Sequence, residues 1–97
     1  FYLYIRMNEI LEAVSGRTGI STEDILSRKR DGKTAEARAL FIYISSVSGH
    51  SNTSIAAFVC RTRSTVSTRI KMISVQKRIY KSLSKEIEDI ARVVSAW

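Results

Sequence analysis

The chain is 97 residues long, one domain's length, and its 44% hydrophobic and 26% charged residues exclude intrinsic disorder. No run approaches the ~18 uncharged apolar residues of a membrane span, and a lone cysteine, Cys60, excludes a disulfide framework and fits a reducing compartment, the cytoplasm. Sixteen Lys and Arg against nine Asp and Glu leave a net charge of +7, which points to a polyanion as partner.

Residues 1–7 are too short and wrongly flanked for a signal peptide, and they read as an N-terminal extension or linker of a longer chain. Residues 8–97 read as a single domain. Helical periodicity dominates, proline is absent, and no stretch shows a period of two. Met7, Ile10, Leu11 and Val14 fall at i, i+3, i+4 and i+7, which predicts a first helix stopped at Gly16. Ser21 is predicted to cap a short second helix, with Asp24 three residues on and Ile20 stapling onto Ile25. Ser27 to Lys33 then forms a basic loop.

Thr34 is the predicted cap of a third helix that buries Ala37, Leu40, Phe41, Ile44 and Val47 and ends at Gly49. The polar cluster from His50 to Ser54 offers caps for a short helix, Thr53 to Val59. After a turn at Cys60 to Thr62, Thr62 caps a long helix with the stripe Val66, Ile70, Ile73, Ile79, Tyr80 and Leu83. Ser84 is predicted to start a last helix with Ile87, Ile90, Ala91 and Val94 inward. The expected fold is all-α, a compact bundle of about six helices.

Charge is unevenly spread. Residues 1–26 carry two basic and four acidic side chains, whereas residues 61–82 carry seven basic and none acidic. No carboxylate occurs between Glu36 and Glu86. A solvated helix face normally mixes signs and gains i,i+4 pairs. A long single-sign helix forgoes them, as a phosphate-facing surface does.

The strongest local pattern runs from Ile55 to Ile70 and reads as a helix–turn–helix. Ile55 and Val59 bury on its first helix, Val66 and Ile70 on its second, and Ala56 is small where the two cross. The tight turn falls at Cys60, a position where glycine is commonest. Thr62 caps the second helix, whose first amides face outward and suit a phosphate. Arg63, Ser64, Ser67, Thr68 and Lys71 share the solvent face, and these residue types suit a DNA groove. A helical hairpin that only packs explains the apolar positions equally well, but not a face with cations and no acid.

Other patterns carry less. Gly32-Lys33-Thr34 resembles the tail of a phosphate-binding loop, but Ser27 stands where its first glycine belongs, and a helix precedes it instead of a strand. His50 and Cys60 are each the sole residue of their type, too few for a zinc site. As a nucleophile pair they lack an orienting carboxylate. Glu86, Glu88 and Asp89 read as favourable charges at a helix start. No enzyme activity, cofactor, metal or small-molecule substrate is expected.

Three segments carry a family resemblance. Thr18 to Ser27 is similar to the short helix before the basic loop of the C-terminal DNA-binding domain of the bacterial replication initiator DnaA. Ser27 to Arg38, ending Ala-Glu-Ala-Arg, keeps that family's spacing from basic loop into helix. Arg61-Thr-Arg-Ser-Thr-Val66 stands where the family has Arg-Asp-His-Ser/Thr-Thr-Val. Arg61, Ser64 and Thr65 match that motif, while Thr62 and Arg63 depart from it, and the preceding turn is one residue shorter. The resemblance spans about four-fifths of the chain, from Asn8 to Leu83. It implies a DnaA C-terminal-like (Trp repressor-type) bundle that binds double-stranded DNA. The implied contacts are a recognition helix in the major groove and a basic loop at the minor groove. By position Arg30 is the minor-groove arginine, with Arg28, Lys29 and Lys33 near phosphates. A role in replication initiation or its regulation, and other domains of a longer chain as partners, come with it. The competing reading is a protein-interaction module that docks an acidic partner through the basic helix. RNA binding fits less well, because no exposed aromatic platform is evident.

Overall fold

The computed structural model describes residues 6–95. Most of the expected N-terminal extension, residues 1–5, and the final two positions lie outside the described residues. Six helices follow in order: α1 (Met7–Thr18), α2 (Thr22–Leu26), α3 (Gly32–Val47), α4 (Asn52–Val59), α5 (Arg63–Ile79) and α6 (Lys81–Ser95). No strand occurs among the described residues. None of the helices is long and apolar enough to cross a membrane.

α3 is the axis of the bundle and packs against each of the other five helices. This explains its sequence. Every residue from Ala37 to Ser45 is buried, so this stretch is enclosed on all sides and not merely along one stripe, and all of it but Arg38 and Ser45 is hydrophobic. Phe41 is wholly enclosed and its ring lies 5.5 Å from that of Phe58 on α4. Full burial of a side chain of this kind stabilises the fold by about 1.5–3 kcal/mol. Around α3, Ile10, Leu11 and Val14 of α1, Ile25 of α2, Ile55 and Val59 of α4, Val66 and Ile73 of α5, and Ile87, Ile90 and Val94 of α6 complete the core.

Several boundaries differ from the sequence reading. α1 runs through Gly16 and stops at Gly19, which is left-handed at φ 78°. Thr18 stays helical and bonds back to the Val14 carbonyl at 2.8 Å. Asp31, not Thr34, caps α3: its carboxylate accepts from the Thr34 amide at 3.2 Å and the Thr34 hydroxyl at 3.0 Å. Both residues are competent caps three positions apart, and the acid, which can accept both bonds, takes the outer place. Val47, Ile79 and Tyr80 are exposed, not inward. α5 ends at Ile79 and α6 starts at Lys81, three residues before Ser84, so the last two residues of the predicted α5 stripe lie at or beyond a helix end.

Candidate nucleic-acid interface

The helix–turn–helix is α4, a three-residue turn and α5. Ser51 caps α4 by accepting from the Ser54 amide, and Thr62 caps α5 by accepting from the Thr65 amide at 3.2 Å. Between them Cys60 adopts the left-handed conformation, φ 55° and ψ 47°, the one described non-glycine residue with positive φ. The Arg61 amide then donates to the Ala56 carbonyl at 3.0 Å, which closes the end of α4. Ala56 is buried and Val59 and Val66 are fully enclosed, so the motif is anchored on the α3 core. A side-chain bond, Asn52 Nδ2 to Ser67 Oγ at 3.1 Å, ties the start of α4 to the second turn of α5.

That bond changes the reading of Ser67, which is half-buried and engaged within the motif. Thr62, Arg63, Ser64, Thr68 and Lys71 are exposed on α5 and its cap, and Thr65 is half-buried. Thr68 back-bonds to the Ser64 carbonyl at 2.9 Å. The first turn of α5 holds no acid, so its unpaired amides and the positive end of the helix dipole are left to an external anion.

The basic loop is held by buried chemistry that sequence reasoning missed. Arg38, on the second turn of α3, is only 9% exposed. Its Nε donates to the Ile25 carbonyl at 2.7 Å, and its Nη2 donates to the carbonyls of Ser27 at 2.8 Å and Lys29 at 3.1 Å. Among the described residues no carboxylate pairs with it. Burial, with Arg61 and Arg69 nearby, holds its guanidinium below the ordinary arginine value, and Asp31 opposes the shift. Arg61 reaches the same loop from the other side: its Nη2 donates to Ser27 at 3.1 Å, and its Nη1 to Val59 and Cys60 at 3.1 and 3.2 Å. The Ser27 carbonyl thus accepts from two arginines, one on α3 and one in the turn of the motif. Arg61, which the sequence placed among the DNA contacts, spends three donor bonds inside the protein.

The consequence is a fixed orientation of loop and motif. Arg28, Lys29, Arg30 and Lys33 are exposed on the loop. Lys29 pairs with Asp24 at 3.3 Å, an exposed contact of small energetic weight. Arg28 and Arg30 line an open cleft of about 640 Å³ together with Arg38, Arg61, Thr65 and Arg69, and none of its lining residues is acidic. Arg69 was singled out by no motif, and Arg38 stood only as the last residue of a segment matched for its spacing, with no role assigned. The available signal for Arg38 was a charge inside an otherwise apolar helix, which surface-seeking arginine rarely occupies without partners.

His50 is buried at the end of α3, where its amide donates to the Ser45 carbonyl, and Cys60 is exposed in the turn. Among the described residues no group of three or more His, Cys, Asp or Glu is placed to hold a metal ion.

A capped helix, a left-handed turn residue and a second capped helix, mounted on an all-α core beside a cationic loop, define a helix-turn-helix domain. Residues 7–73 match the family described as the bacterial dnaA protein helix-turn-helix, and the chain belongs to that family. The match takes in α1 to α4, the basic loop and α5 as far as Ile73. It is a family of DNA-binding domains of the replication initiator. No curated protein matches the chain.

Proposed function

We propose that residues 8–97 form one domain that binds double-stranded DNA sequence-specifically. α5 enters the major groove N-terminus first, and the basic loop reaches the adjacent minor groove. Arg63, Ser64, Thr68 and Lys71 face the major groove or its phosphates, and Arg30 reads minor-groove width. Arg28, Lys29 and Lys33 serve phosphates, as do Thr62 and Thr65 at the helix start. Arg61 and Ser67 belong to the same surface chiefly by orienting it. The observation that carries the reading is the shared Ser27 carbonyl: Arg38 and Arg61 lock the loop and the motif around one cleft whose lining holds no acid. A role in replication initiation or its control follows from the family, and would place the domain with the bacterial chromosome in the cytoplasm.

The test is duplex binding as a function of salt. Five to seven phosphate contacts imply a log–log slope of roughly −5 to −6. A flat response between low and physiological salt would refute DNA binding and favour an acidic protein partner. Arg63→Ala, measured on a site selected from random duplexes and on a scrambled one, should lose about 1–3 kcal/mol on the selected site only. Equal losses on both would make Arg63 a backbone contact.

A further inference from the structure

We propose that Arg69 is a phosphate-binding residue, and that the cleft between basic loop and α5 receives the sugar-phosphate strand that separates the two grooves. The inference deepens the DNA-binding reading and rests on it. Neighbouring major and minor grooves are divided by one backbone. A protein that puts a helix in one and a loop in the other must straddle that backbone with whatever lies between helix and loop. Here that is the cleft lined by Arg28, Arg30, Arg38, Arg61, Thr65 and Arg69.

Arg69 differs from Arg38 and Arg61 in being uncommitted, as Arg28 and Arg30 on the exposed loop also are. Arg38 and Arg61 are bound to backbone carbonyls. Arg69 has neither an ion pair nor a hydrogen bond among the described residues. Glu36 shares the adjoining groove with it but forms no ion pair with it. Thr65 and Arg69 stand four residues apart, on one face of α5. That face looks toward the loop, whereas Thr68 and Lys71 are turned to solvent. Arg69 also lies close enough to Arg38 to disfavour its charge. A half-buried cation beside a buried one, in a cleft whose lining holds no acid, stores repulsion that an incoming anion relieves. The planar guanidinium fork suits two oxygens of one phosphodiester.

The experiment uses the whole chain and Arg69→Ala, with Arg69→Lys as a second variant. Each phosphate contact contributes about 0.9 to the salt slope, so losing one at 0.1 M monovalent salt costs about eightfold in affinity. Arg69→Ala should show that loss equally on selected and scrambled duplexes, with the slope shallower by about one; Arg69→Lys should keep the slope. In the absence of DNA at low ionic strength, Arg69→Ala should melt higher than the wild type. Inorganic phosphate should raise the wild-type melting temperature more than potassium chloride of equal ionic strength, and the variant should lose that excess. A rise in melting temperature without a change in slope would mean a site for free phosphate only, and would overturn the strand assignment. An unchanged slope together with an unchanged or lowered melting temperature would overturn the proposal entirely while leaving DNA binding intact. Failure of the wild type to bind any duplex would overturn both.

Discussion

Arg38→Ala offers the sharpest perturbation of the architecture, because one side chain holds three carbonyls of α2 and the loop after it at 3.1 Å or less. Truncation does not orphan all three. The Ser27 carbonyl keeps Arg61, and Lys29 is exposed, so water can replace that bond. Ile25 is fully buried, and leaving a buried acceptor unsatisfied costs about 1–3 kcal/mol. The two lost charge-assisted bonds at Ser27 and Lys29 add about 1 kcal/mol each after replacement. The sum is about 3–5 kcal/mol, the range for removing one partner of a buried charged network. For a domain of this size that corresponds to a fall in melting temperature on the order of 12–40 °C. Urea and thermal denaturation of wild type and variant measure it directly. Arg38→Lys keeps the charge but not the planar fork, and should recover less than half of the loss. NMR relaxation at residues 28–30 should show faster, wider motion in Arg38→Lys than in the wild type. A cost below about 1 kcal/mol for Arg38→Ala would falsify the idea that this residue holds the loop.

Ala56→Leu should overpack the buried α4–α5 crossing and cost about 1–3 kcal/mol by denaturant titration; an unchanged midpoint would contradict the packing described for the motif. Cys60→Gly relieves a left-handed conformation that costs an L-residue roughly 1–2 kcal/mol, against a backbone-entropy cost of about 0.5–1 kcal/mol, so it should be neutral to stabilising by about 1 kcal/mol; clear destabilisation would mean the thiol is needed there. Hydrogen bonds from Thr34 hold the Asp31 carboxyl below its ordinary value of 3.8. A depressed folded-state value stabilises above the unfolded pKa, and that stabilisation is lost as pH falls through the folded one. The wild type should therefore lose more stability than Asp31→Asn on acidification from about pH 5 to pH 2, and parallel curves would show that the cap bonds contribute nothing.

What the sequence settled by itself is local. Helix periodicity, the caps Ser21 and Thr62, the tight turn at Cys60 and the small Ala56 all depend on residues within a few positions of one another, and the structure reproduces them. The charge distribution is likewise additive along the chain. Between equivalent local signals the sequence pointed to the wrong one: Gly19, not Gly16, stops α1, and Asp31, not Thr34, caps α3. The inward placement of Val47, Ile79 and Tyr80 also failed, because periodicity says which face a residue shares but not how far the neighbouring helix extends to cover it. Most of all, the roles of Arg38 and Arg61 were decided by tertiary structure alone. Arginine in a sequence reads as surface charge. Only the folding of α2 and its loop onto α3 brings the carbonyls of Ile25, Ser27 and Lys29 around one guanidinium, and the carbonyl of Ser27 to a second one 34 residues further along the chain. A buried cation becomes tolerable when backbone oxygens from a distant segment converge on it, and that convergence is a property of the packed helices, not of any window of sequence.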